Sequence, residues 1–332
     1  MIDFKEKTRL SKRRTLFKKY YNWSIRTNDC DPALFMMNYV NNRMELNIEQ
    51  RFWFAWLYAN TYNVATAWIL FNEFPDFENV DIGRLSEWNT NNYKKLRYQV
   101  DNKWQKGHLP RMYESYRDNV YSKAKTQQEY FTDLASSDNE FINFDVVNKE
   151  VISKFFKFGR YLSWFYLQTL RETCGLRLKP DNLLLKDPAS ESHRNGLMYA
   201  LGMDQIIEED YKLDLDVYKY LDEEAAKIHS ELEEEYPDIE VDYFTLETVF
   251  CAFKKVFRDK HGRYLGYYID RQSEDILQTE EDGWSGIEWS LLWDARNETL
   301  DQRLLGGTVD KRRYGEYLRT GMIKNINWFD KA

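Results

Sequence analysis

Between Leu46 and Phe74 the chain is apolar around the whole circumference of a helix, and a helix of that kind must be surrounded by other protein. Asn60, Asn63, Asn72 and Glu73 interrupt the run, and Tyr and Trp are dense within it. Those interruptions exclude a membrane span and predict a buried central helix. In its second half Ala59, Asn60, Asn63, Thr66 and Ala67 share roughly a third of the circumference. This small, polar notch either admits another helix closely or walls a pocket. Around the central segment, 6 Pro and 14 Gly in 332 residues favour long helices over many short strands with tight turns. No internal repeat, low-complexity linker or convincing strand is visible. The expected fold is all-α, a single compact multi-helix domain over residues 1–332.

The formal net charge of −8 is unevenly distributed. Residues 204–242 hold 16 Asp/Glu against Lys212, Lys219 and Lys227, and the rest of the chain carries 44 Lys+Arg and 39 Asp+Glu. The block therefore reads as a peripheral, solvated acidic helical excursion on a weakly basic body. A modest positive balance permits nucleic-acid binding without requiring it. Residues 5–26 read as a basic helix, and "DCDP" then starts another, with Asp31 as N-cap and Pro32 at its first position. From Lys94 to Arg117, seven Lys/Arg face only Asp101 and Glu114, interleaved with Tyr93, Tyr98, Trp104, Tyr113 and Tyr116. That pattern is either a solvated charged face or a surface for a nucleic-acid backbone, since cations meet phosphate and rings stack on bases.

Cys30, Cys174 and Cys251 are widely spaced, with no CxxC pair and no His/Cys spacing of a zinc site. They read as reduced thiols, and no metal ligand set is expected. The charged N-terminus lacks the apolar run of a signal peptide, and a cytoplasmic location is expected from the reduced thiols. There is no P-loop, GxGxxG, HExxH or GxSxG motif, so any active site is assembled from scattered residues on packed helices.

Three stretches carry such residues. In "ETVFCAFKKVFR" (247–258), Glu247, Cys251, Lys254 and Arg258 fall on one helical stripe. That stripe is a solvated face, a nucleophile with helpers, or an anion-binding ledge. In "KFGRYLSWFYLQTLR" Arg160, Trp164 and Arg171 align on a largely apolar helix, where an arginine needs an anionic partner. In "SHRNGL", Ser192 as N-cap would leave His193 and Arg194 beside a helix start, a natural place for an anion.

The segments "DCDPALFMMNYVNNRMELNIEQRFWFAWLYANTYN", "NEFPDFE", "LRYQVDNKWQKGHLP", "FGRYLSWFYLQTL", "SHRNGL", "ETVFCAFKKVFR", "GRYLGYYIDRQ" and "WSGIEWSLLWDARNETL" together resemble the phage amino acid:DNA transferase family. The family is also called the α-glutamyl/putrescinyl thymine pyrophosphorylases. The similarity runs in order from about Arg13 to Leu300 and weakens in the acidic block.

The resemblance implies thymine hypermodification in double-stranded phage DNA, in the cytoplasm of an infected bacterium. A separate kinase pyrophosphorylates 5-hydroxymethyluracil, and this enzyme replaces the pyrophosphate on the C5 methylene with an amino acid or polyamine. The departing diphosphate needs cations, with Mg²⁺ as an optional helper; Arg160, His193, Arg194, Lys254, Arg258 and Arg263 are the candidates. The incoming amine needs a carboxylate base, for which Glu247 and Asp270 are available. Cys251 would be a nucleophile adding transiently at C6, or simply a small residue at a helix contact. A flipped base needs aromatic walls and amides, and Asn60, Tyr62, Asn63, Trp164 and Gln168 suit it. Lys94, Lys95, Arg97, Lys103, Lys106 and His108 would meet the DNA backbone. Two other readings stay open: a non-enzymatic helical DNA-binding protein, and a glycosylase-like base-flipping enzyme.

Overall fold

The computed structural model describes residues 12–99, 106–208, 213–257 and 266–301. The described residues form fifteen α-helices and no strand, so the chain is all-α. In chain order these begin with α1 (Arg13–Arg26), α2 (Pro32–Arg43), α3 (Ile48–Thr61), α4 (Val64–Glu73) and α5 (Ile82–Asn92). Next come α6 (Leu109–Tyr121), α7 (Gln127–Leu134), α8 (Glu140–Lys154), α9 (Arg160–Cys174) and α10 (Glu191–Ala200). The last five are α11 (Asp204–Glu208), α12 (Leu215–Glu235), α13 (Tyr243–Phe257), α14 (Tyr267–Glu281) and α15 (Ser290–Thr299). They cluster into two compact units, one drawn from residues 1–32, 180–270 and 300–332, the other from 33–179 and 271–299. Both are discontinuous in sequence, so composition offers no boundary between them.

In the first unit α13 is the spine. Phe17 of α1 stacks on Phe250 at 4.1 Å between ring centroids and meets Phe253 edge-on at 5.2 Å. α10 crosses α13 so closely that a Cβ on Gly196 would lie 2.0 Å from the carbonyl oxygen of Phe250. Only glycine permits that approach. Asp29 binds the start of α14, accepting from the backbone N–H groups of Gly266, Tyr268 and Ile269 at 2.8–3.1 Å. Pro32 opens its helix as expected, while Asp31 takes a left-handed backbone and its carboxylate accepts from Thr248 Oγ1 at 2.9 Å.

The acidic stretch is more than a solvated face. Leu221, Ala225, Ile228 and Leu232 of α12 are buried in the core of this unit. Its carboxylates pair with α1: Arg14 with Glu224 and Glu231 at 2.5 and 2.6 Å, and Lys18 with Glu235 at 2.7 Å. Beyond α12, Asp238 meets Arg26 at 2.7 Å. Burial of the apolar stripe holds α12, and the ladder sets its register. Arg14, Lys18 and Glu224 are partly shielded from solvent, whereas the Arg26–Asp238 pair is exposed.

In the second unit the expected single central helix is two. Tyr62 adopts a left-handed conformation (φ 46°, ψ 35°) and Asn63 caps α4 by accepting from Thr66 N. α3 begins at a capping box of Asn47 and Gln50. From Phe52 to Thr61 and from Val64 to Phe71 every residue is buried, as the all-round apolar pattern required. The break supplies backbone and side-chain groups to a passing segment: Gln99 N donates to Thr61 O at 3.0 Å and Thr66 Oγ1 to Arg97 O at 2.7 Å. The polar notch therefore meets the coil around Arg97–Gln99 at its Thr61–Thr66 end, and Asn63 there walls a cleft.

Candidate functional site

Two polar centres stand out, one in each unit. In the first, the tight α10–α13 crossing drives His193 against α13. Glu247 and Cys251 lie one helical turn apart on the facing side, and one ligand atom of each of the three residues lies within 4.8 Å of the others. His193 Nδ1 stands 3.1 Å from Glu247 Oε1, and Nε2 stands 3.0 Å from the carbonyl oxygen of Leu183. That carbonyl can only accept, so Nε2 carries a proton. His193 and Glu247 are buried, whereas Cys251 is partly exposed. One turn on, Lys254 Nζ donates to Ser192 Oγ at 2.7 Å.

In the second unit a cleft of about 510 Å³ is lined by Asn63, Lys94–Gln99, Lys106, Arg271, Asp275, Gln278 and Asp282. Its wall is the segment docked on the α3–α4 break, and its opposite side is α14. Arg97 grips Asp282 with two hydrogen bonds of 2.7 and 2.9 Å and reaches Gln278 at 3.1 Å. Gln99 joins the two sides, donating to Asp275 while accepting from Arg271. Asn63 Nδ2 and the Tyr98 hydroxyl are buried without a hydrogen-bond partner among the described residues. Desolvation pushes the Asp275 carboxyl up to about 7, against the pull of Arg271. Burial likewise lowers Lys106, with Arg97 adding to the effect.

These two centres gather some of the sequence candidates and leave others apart. Glu247, Cys251, Lys254 and His193 converge in the first unit. His193, expected at the diphosphate, is buried, with Nε2 facing the Leu183 carbonyl and Nδ1 facing Glu247. Arg194 is also committed elsewhere, donating to the carbonyl of Leu185 at 2.7 Å and lying over the Tyr218 ring. Asp270 is buried in the first turn of α14. Arg258 and Arg263 lie outside the described residues, as does Lys103.

Of the base-binding set only Asn63 lines the cleft. Asn60 donates back to Trp56 O at 2.7 Å, and Trp164 is enclosed with Phe144 edge-on at 5.6 Å. Gln168 is buried in α9, and Tyr62 packs on Phe165 at 4.4 Å. Arg160 lies over the Trp164 ring at 4.4 Å, so it belongs to the core of its unit. Lys94, Lys95, Arg97 and Lys106 do meet at the cleft, whereas His108 precedes α6 beside Phe156. The sequence reading missed Asp275 as a site residue. Its helical spacing with Arg271 was the available signal, but its burial depends on the distant segment 94–99.

The arrangement is that of an all-α protein with a cation-walled cleft in one unit and an imidazole–carboxylate–thiol cluster in the other. The chain belongs to the amino acid:DNA transferase family, whose match covers residues 25–261. It is 26% identical over 272 residues to a protein of Salmonella phage ViI named serinyltransferase. That alignment takes in 78% of this chain and 65% of the phage protein. No solved structure matches the chain.

Proposed function

We propose that this protein transfers an amino acid or polyamine onto the C5 methylene of pyrophosphorylated 5-hydroxymethyluracil in phage DNA, releasing pyrophosphate. The observation that carries the reading is the cleft of the second unit. Five cationic side chains, Lys94, Lys95, Arg97, Lys106 and Arg271, surround Asn63 and two carboxyls there. A diphosphate leaving group and a DNA backbone both call for such a wall. Asn63, with its buried amide donor, suits a carbonyl of a flipped pyrimidine.

The donor amine must lose a proton as its nitrogen bonds to the methylene carbon. The C–O bond breaks as the C–N bond forms, and the diphosphate leaves with the electron pair. Asp275 fits the base better than Glu247 does. It lines the cleft and titrates near neutrality, where a general base is most effective. Glu247 is 2% exposed and engaged with His193. The name of the Salmonella phage relative makes serine the first donor to try. In this reading a separate kinase supplies the pyrophosphorylated base, Mg²⁺ assists the diphosphate, and the work is done in the infected cell's cytoplasm. Among the described residues no helix is long and apolar enough to cross a membrane.

The test is incubation with DNA carrying pyrophosphorylated 5-hydroxymethyluracil and serine, glycine, ornithine or putrescine, followed by nucleoside mass analysis. A new thymine adduct with stoichiometric pyrophosphate is expected. Absence of both with every donor overturns the reading and leaves a DNA-binding protein.

A further inference from the structure

We infer that His193, Glu247 and Cys251 form a binding site for a zinc-class divalent cation. The first support is chemical. One imidazole nitrogen, one carboxylate and one thiolate are a mixed N/O/S set suited to zinc, with a fourth position left for water or substrate. The second is spacing. Glu247 and Cys251 stand at i and i+4 on α13, the separation by which one helix face presents two metal ligands. Zinc–ligand bonds of about 2.0–2.3 Å put neighbouring ligand atoms roughly 3.2–3.8 Å apart in a tetrahedron. The 3.1 Å between His193 and Glu247 is close to that range, and no pair of ligand atoms in the trio is more than 4.8 Å apart.

The third support is orientation. A metal-ligating histidine characteristically donates its other ring N–H to a carbonyl or carboxylate, which fixes the tautomer. His193 does this through Nε2 to the Leu183 carbonyl at 3.0 Å, turning Nδ1 toward Glu247 and Cys251. Gly196 holds that geometry, because it lets α10 rest on the Phe250 backbone one residue before Cys251. The nearest lysine of the stripe, Lys254, is tied to Ser192 Oγ at 2.7 Å. Cys251 is the partly exposed member of the trio, so the entry path is from its side.

Binding balances simply. The ligands bind as neutral imidazole, carboxylate and thiolate, so the thiol proton of Cys251 and any proton on Nδ1 or the Glu247 carboxyl leave to solvent. With carboxylate and thiolate bound, a divalent ion leaves the cluster neutral. No oxidation is involved, and nothing in the inference depends on the transfer reaction or on the cleft of the other unit.

The experiment is metal analysis of the full chain, purified without chelator and then equilibrated with micromolar zinc and gel-filtered. Retention of about one equivalent is expected for a three-ligand site. Cobalt(II) substituted for zinc should give thiolate-to-metal absorption in the near ultraviolet. Cys251→Ala should abolish that band, while Cys174→Ala keeps it. Glu247→Gln should weaken retention by on the order of 10–100-fold. Failure of the wild-type chain to retain zinc overturns the inference whatever the variants do. So does a cobalt–thiolate band that survives Cys251→Ala. Loss of transfer activity with full metal retention would count against the proposed function and leave this site standing.

Discussion

Gly196 rests on the carbonyl of Phe250 with no room for a side chain: a Cβ there would lie 2.0 Å from that oxygen. The contact is between backbones, so no rotamer change relieves it. Gly196→Ala should force α10 away from α13 and destabilise the protein by about 1–3 kcal/mol or more. Chemical denaturation of the variant against wild type measures this. An unchanged midpoint would mean that the two helices separate freely.

Asp275 is expected to take the proton from the donor amine. Asp275→Asn keeps the shape and removes the base, so transfer should fall by roughly 10²–10⁴-fold while binding of the modified DNA stays close to wild type. If the proposed transfer is this protein's reaction, the rate of its chemical step in the wild type should rise through about pH 7, where Asp275 ionises. Single-turnover rates across pH 5.5–8.5 read this directly. A flat profile in that range excludes Asp275 as the base.

The same carboxyl makes a stability prediction with a definite sign. Its folded-state value, about 7, lies above the ordinary value of 3.8. The folded protein therefore holds a proton that the unfolded chain has released, and stability declines as pH rises between those values. Asp275→Asn removes that decline. The variant should gain on wild type by up to a few kcal/mol between about pH 4 and pH 7–8, as followed by urea denaturation at both ends of the range. A wild type that loses nothing relative to the variant on going from acid to neutral pH would show that Asp275 ionises at an ordinary carboxylate value.

Lys94 and Lys95 are the exposed cations of the cleft wall. If they meet phosphates, the double change to Ala should weaken DNA binding and reduce the slope of log K against log salt by about 1–2. Fluorescence anisotropy between low and moderate salt gives the slope. Equal slopes for both proteins would take the backbone elsewhere.

The all-α class was legible from the scarcity of Gly and Pro and from the all-round apolar run, because both are local properties. The Glu247–Cys251–Lys254 stripe was legible for the same reason: helical periodicity alone puts these residues on one face. The break at Tyr62–Asn63 was not, since neither Gly nor Pro marks it and an αL tyrosine is held there by its surroundings. The docking of α12 was hidden because Arg14 and Glu224 are far apart in sequence, so the acidic run showed only its solvated side. Asp275 acquires its shifted proton affinity from burial beside Gln99 and Arg271, a property of packing that no spacing rule encodes. Burial of Trp164 and Arg160, with the guanidinium over the indole, was not legible either, because helical spacing puts them on one face without saying what covers it.

The ladder between α1 and α12 means that the chain carries its own counterions. Arg14, Lys18 and Arg26 are already matched by carboxylates, so a polyanion approaching the protein competes with an anion held at high effective concentration. Raising the salt should therefore loosen this pairing and leave the apolar stripe of α12 to hold the helix in place.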